Sequence, residues 1–188
     1  MLIFSLAFPL LAPAAEAEQT SFQNGPLTIS HNVSTVTSDQ IINLRRAIIG
    51  QESGANFRAV NPHSGALGYG QVMPENVPSW SREALGYSIS PRQFLNSPNL
   101  QLIIIDHKLA QYWQKAIVAS GGNEQIAVRR VASQWYSGKP HRYSSTAPQV
   151  YAGHRYPSIA SYTLSVLARY QALLQFSLVT GAANLRQW

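Results

Sequence analysis

The chain contains no cysteine. Neither a disulfide nor a thiolate-held metal can contribute, and the fold must rest on its apolar core. Acidic residues are scarce, 8 Asp and Glu against 14 Lys and Arg, and the net charge is +6. Such a surface favours anionic partners. The 5 histidines include no His-Glu-x-x-His pair, which argues against a zinc peptidase. No Gly-x-Ser-x-Gly elbow and no phosphate loop occur, so the common acyl hydrolases and P-loop enzymes are set aside. The basic residues are scattered and form no continuous run or recognition module, so nucleic acid is not the expected partner. The N-terminal apolar run, Leu2 to Leu11, falls short of the roughly 20 residues that a spanning helix needs.

What is present fits one domain: 188 residues, 45% of them hydrophobic, can bury a substantial core. The apolar run followed by Ala15-Glu16-Ala17 reads as a secretory signal peptide over residues 1–17, although a basic residue at its start is missing. Its removal takes Glu16 with it and leaves a net charge of +7. Residues 18–36 are polar, lack a helical period and read as a linker.

From residue 37 to 181 the pattern predicts a single all-α domain. Thr37 and Gln40 can form a capping box for a helix over about 38–53, with Ile41, Leu44 and Ile48 at helical spacing. Residues 54–78, rich in Gly, Asn, Pro and Ser, predict a long structured loop holding at most one short helical piece. Ser90-Pro91 and Ser97-Pro98 each place an N-cap before Pro at the first helical position. The second opens a helix over about 98–119, which Gly121-Gly122 stop. Further helices are expected from Asn123 to Gly138 and from Ser158 to just before Gly181. No convincing strand or internal repeat is visible.

Among the carboxylates, Glu52 is the informative one. Leu44, Ile48 and Glu52 are spaced by four, so Glu52 extends the apolar stripe of its helix at the C-terminal end. Burial and the negative end of the helix dipole both disfavour its anion and raise its pKa. A carboxyl kept protonated near neutrality is what glycosidic cleavage requires, because the leaving oxygen must take a proton. A helix-terminal Glu turned to solvent or paired with an Arg is the plainer alternative.

The text after Glu52 favours the catalytic reading. Glu52-Ser53, followed by Gly65-Ala66-Leu67-Gly68-Tyr69-Gly70-Gln71-Val72-Met73-Pro74, resembles the core of the soluble lytic transglycosylases, a family with the goose-type lysozyme-like fold. That family carries Glu-Ser and then Gly-Ala-x-Gly-x-x-Gln-x-Met-Pro. Tyr162 to Leu167 is similar to the family's late Tyr-Val-x-x-Val-Leu helix, and Trp135-Tyr136-Ser137-Gly138 stands where the family usually has Tyr-Asn-Ala-Gly. The resemblance covers roughly residues 40–170. It implies a lysozyme-like single domain acting on peptidoglycan glycan strands, with Glu52 catalytic and with Ser53, Asn61, Gln71, Met73, Trp135, Tyr136 and Tyr162 as substrate-binding positions. It also implies no metal and no cofactor.

Four departures stand out. Asn61 replaces a frequent Ser, Gly70 replaces a common Met, Trp135 and Tyr136 replace Tyr and Asn, and Ser158 stands where many members have a Glu that meets the stem peptide. Residues 139–156, which carry Lys139, Arg142, Tyr143, Tyr151, His154, Arg155 and Tyr156, offer aromatic faces for sugars and cations for carboxylates. This segment is expected to border the cleft.

Most glycosidases use two carboxylates. Asp39 and Glu124 sit at predicted helix starts and Asp106 lies within a long helix, which leaves Glu75 and Glu83 as possible partners of Glu52, without a motif match. Glu52 is therefore expected to act alone, with the substrate's own acetamido oxygen assisting, and to yield 1,6-anhydro-N-acetylmuramic ends. A hydrolytic lysozyme and a non-catalytic wall-binding module are the other readings. The expected setting is secreted or periplasmic, as a wall-associated monomer.

Overall fold

The computed structural model of the chain describes residues 38–151 and 153–185, and among these helices dominate. They are α1 (Ser38–Glu52), α2 (Val77–Leu85), α3 (Pro91–Asn96), α4 (Pro98–Ala119), α5 (Glu124–Ser137) and α6 (Ile159–Leu185). The expected leader, the linker and the Thr37 half of the expected capping box lie outside the described residues.

Packing follows the apolar stripes. α1 buries Leu44, Ala47 and Ile48 against α4 and α6, and α5 buries Val128 and Val131 against the same two helices. Tyr162, Val166 and Tyr170 complete this main core from α6. A second cluster joins Leu67 and Val72 of the long loop to Val77, Phe94 and Ile104. Trp135 packs against both clusters. The loop after α1 is thus fastened to the helices by apolar burial, at roughly 25 cal/mol for each Å² covered.

The local stops and starts have readable causes. Ser90 caps α3 in a capping box with Gln93, and the side chains of Ser97 and Asn123 cap α4 and α5. Three expectations need correction. α6 runs through Gly181 to Leu185, because one glycine weakens a helix by about 1 kcal/mol relative to Ala but does not by itself end it. α2 begins inside the segment expected to be loop. A two-stranded antiparallel hairpin exists where no strand was expected: β1 (Gln149–Tyr151) pairs with β2 (His154–Tyr156), Gln149 opposite Tyr156. Each strand has three residues and none is buried, so no alternating apolar face marks it.

Candidate active site

Glu52 is the last residue of α1 and faces a cleft of about 650 Å³. Burial raises its carboxyl from 4.5 to about 7, and the Tyr162 hydroxyl, which donates to Glu52 Oε1 at 2.5 Å, opposes that rise. Desolvation wins because one hydrogen bond does not replace the water that a carboxylate loses. The acid is therefore half protonated near neutral pH.

Tyr162 is fixed in turn. Its ring, almost fully buried, stacks on Tyr136 with centroids 4.2 Å apart and planes 8° apart, and the Tyr136 hydroxyl donates to the Pro157 carbonyl at 2.8 Å. Burial, then the nearby Glu52, pushes the Tyr162 hydroxyl well above its usual range. It remains a proton-bearing donor through the neutral pH range. The Tyr136 hydroxyl is pushed to about 12, by burial first and then by Glu52 and Tyr156.

The loop wall is built by a compact set of backbone bonds. Leu67 and Val72 exchange N–H to carbonyl bonds at 2.9 Å, and Asn61 receives from Gly65 while donating to Ala66, also at 2.9 Å. Gln101 of α4, fully buried, ties this wall to the helices. Its Oε1 accepts from Tyr69 N at 2.8 Å, and its Nε2 donates to the carbonyls of Phe57 at 2.9 Å and Phe94 at 3.1 Å. A Cβ on Gly68 would stand 2.1 Å from Gln101 Oε1, and Gly68 has a φ of +67°, so glycine is required there twice over. Nothing in the sequence marked Gln101, since a Gln at a helical core position reads as a surface residue.

Gly70 and Trp135 fit one another. The indole Nε1 donates to the Gly70 carbonyl at 3.0 Å, and a Cβ on Gly70 would lie 2.8 Å from the indole ring. The two residues are a single packing solution: the indole on α5 fills the space that a side chain at position 70 would take.

Of the residues expected to meet substrate, Asn61, Gln71, Met73, Trp135 and Tyr136 line the cleft together with Glu52. Ser53 and Tyr162 do not. Ser53 donates to the Tyr69 carbonyl at 2.9 Å and so fixes the loop to the end of α1, while Tyr162 stands behind Glu52. Asn61 Oδ1 accepts from the backbone of His63 at 2.9 Å and Ser64 at 3.1 Å, which shapes the turn at the rim. Gln71 has a φ of +50°, uncommon for a residue with a Cβ, and its Nε2 donates to the Gly68 carbonyl at 3.1 Å. Strain of this kind costs on the order of 1 kcal/mol and aims the side chain at the cavity.

The 139–156 segment does border the cleft, with Lys139, Arg142, Tyr151 and Tyr156 on its wall. Among the remaining carboxylates, Glu75 lines the same cleft. Glu83 does not: it pairs with Lys108 at 2.6 Å, a bond that holds its carboxyl below the usual range. Asp106 pairs with Arg45, and Glu124 accepts from Tyr170. Among the described residues no group of three or more His, Asp or Glu could hold a metal, and no helix is long and apolar enough to cross a membrane.

Comparison of the chain with protein-family models, with characterised proteins and with solved structures gives no match.

Proposed function

We propose that this chain is a lytic transglycosylase with a goose-type lysozyme-like fold, cutting the β-1,4 bond between N-acetylmuramic acid and N-acetylglucosamine in peptidoglycan. The observation that carries the reading is the Glu52 carboxyl, which faces the cleft from the end of α1, accepts from the Tyr162 hydroxyl at 2.5 Å and is raised by burial to a pKa of about 7. A general acid works best with a pKa close to the operating pH.

In the proposed reaction, protonated Glu52 gives its proton to the bridging oxygen as the bond to the muramic anomeric carbon breaks. The substrate's acetamido oxygen meets the positive carbon. The Glu52 carboxylate then takes the proton of the muramic O6 hydroxyl, whose oxygen bonds to the anomeric carbon and closes a 1,6-anhydro ring. Glu52 ends protonated, as it began, and neither water nor a cofactor is consumed. Tyr162 steadies the transient carboxylate through its hydroxyl. Lys139 and Arg142, which form no salt bridge among the described residues, give the wall a positive lining suited to lactyl and peptide carboxylates. The proposal places the protein outside the cytoplasm, at the wall, as a monomer.

One observation supports a second reading. Glu75 lines the cleft with Glu52, so it could position a water and turn the reaction into hydrolysis. Digestion of purified peptidoglycan in heavy-oxygen water separates the two. The proposal expects fragments lighter by one water than hydrolytic ones, without a reducing end and without label. Labelled reducing ends, lost in a Glu75→Gln variant, would make the protein a lysozyme. Wall binding with no cleavage would make it a non-catalytic module.

A further inference from the structure

The β1–β2 hairpin is held differently from the rest of the molecule. On its N-terminal side the chain is anchored at Tyr143, whose carbonyl accepts from Arg129 at 3.0 Å and Thr163 at 2.7 Å, and at Ser145, whose carbonyl accepts from Ala160 N at 2.9 Å. On its C-terminal side it is anchored at Pro157 by the Tyr136 hydroxyl. Between these posts neither strand contributes a buried residue, and Val150 and Tyr151 are 64% and 52% exposed. An element with little buried apolar surface belongs to the low-stability end of a fold and opens at small cost.

This loosely held span also touches the opposite wall. The ring of His154 on β2 lies against the ring of His63 in the loop after α1, with centroids 3.6 Å apart and planes 30° apart. Both walls line the cleft that holds Glu52, the loop through Asn61 and Ser64 and the hairpin through Val150, Tyr151 and Tyr156. The loop wall is also tied to α5, where the Trp135 indole donates to the Gly70 carbonyl. The histidine contact joins the loop wall to the hairpin wall.

We propose that the hairpin is a strap across the cleft, latched by His154 on His63, which selects where a glycan is cut: strand ends enter with the strap closed, and internal bonds are reached only after it lifts. The proposal rests on the glycan-cutting reading and adds to it the part of the polymer that is recognised. An aromatic contact of this size gives a modest bias, so removing the latch should shift product lengths severalfold without abolishing cleavage.

The absence of cysteine makes the test direct. In the full chain, His63→Cys with His154→Cys creates the sole thiol pair, which a short reducible bismaleimide can bridge. On long glycan strands the bridged protein should release disaccharide-sized products from the first time point and lose internal cuts at least tenfold. Cleavage of short oligosaccharides should persist, and reduction of the linker should restore the internal cuts. His154→Ala should move early products severalfold towards longer fragments. Unchanged product lengths in fully bridged protein, or failure of the two thiols to bridge, overturns the strap. If the wild-type protein cuts nothing, the glycan-cutting reading fails by itself, and the strap is read from binding of fluorescent strands. Bridging should then lower binding to long strands at least tenfold relative to short oligosaccharides, and equal loss on both overturns it.

Discussion

Replacing Tyr162 by Phe removes one hydroxyl from behind Glu52 and should move the pH profile in a direction opposite to ordinary damage. The hydroxyl donates to Glu52 Oε1 and favours the carboxylate, so it holds the acid below the value that burial alone would set. A hydrogen bond to a charged group contributes about 1.5–3 kcal/mol, and the protonated acid keeps part of it. The difference between the two states is therefore about 1–2 kcal/mol, or about one pH unit. The Phe ring can keep the stack on Tyr136, so the site should remain assembled. The alkaline limb of kcat/KM, set by Glu52 near pH 7 in the wild type, should shift to about pH 8, while the rate at the optimum falls because the developing carboxylate loses its donor. The Tyr162 hydroxyl titrates far above this range and cannot produce the limb itself. The assay is peptidoglycan clearing from pH 5 to 9 on both proteins, with the limb fitted separately from the maximum. A limb that stays in place or moves towards acid would refute the account, since Glu52 would then not be the group whose protonation limits the rate.

Glu52→Gln should abolish clearing and leave wall binding intact. Because burial raises the Glu52 pKa from 4.5 to about 7, wild-type stability contributed by the neutral acid is present below pH 4.5 and lost as pH rises to about 7. The Gln variant, which never charges, should thus gain on wild type by up to about 3 kcal/mol at pH 8 and by almost nothing at pH 4; urea unfolding at the two pH values checks this, and equal gains would contradict it. Gln101→Ala should cost about 2–4 kcal/mol by leaving Tyr69 N and the Phe57 and Phe94 carbonyls short of a partner, with faster proteolysis of the 57–71 loop as the readout. Gly70→Met should destabilise by about 1–3 kcal/mol through overpacking on the indole, and Trp135→Tyr in the same chain should recover most of it.

The helical part of the fold was legible because its signals are local. Ser90-Pro91, Ser97-Pro98 and Asn123 announce helix starts, and the spacing of Leu44, Ile48 and Glu52 gives the buried face of α1. The hairpin was not legible, since strands of three exposed residues carry no alternation and are set by anchors at Tyr143, Ser145 and Pro157 that come from distant helices. Gln101 was hidden for a related reason. Its partners lie 7 to 44 residues away in the chain, and only the folded loop gives them one address.

The site divides in the same way. The periodicity of α1 carries Glu52 to the cleft, and Gln71, Met73 and Asn61, the last a departure from the resembled pattern, line it from the place their own segment gives them. Ser53 and Tyr162 were assigned to substrate contact since a motif reports that a residue matters without reporting which way it faces. Their positions give the two residues a physical role: Ser53 fixes the loop to α1, and Tyr162 holds the Glu52 carboxyl. Gly70 and Trp135 extend the argument. Read singly, each is a departure that weakens a resemblance; read as a contact of 2.8 Å between a missing Cβ and an indole, they are one exchange of volume across the cleft wall. The Trp135 indole also lies 5.5 Å from the Trp80 ring and packs on both apolar clusters, so it anchors the loop wall to the helices. A sequence pattern scores the two positions separately, whereas the packing that decides them is joint.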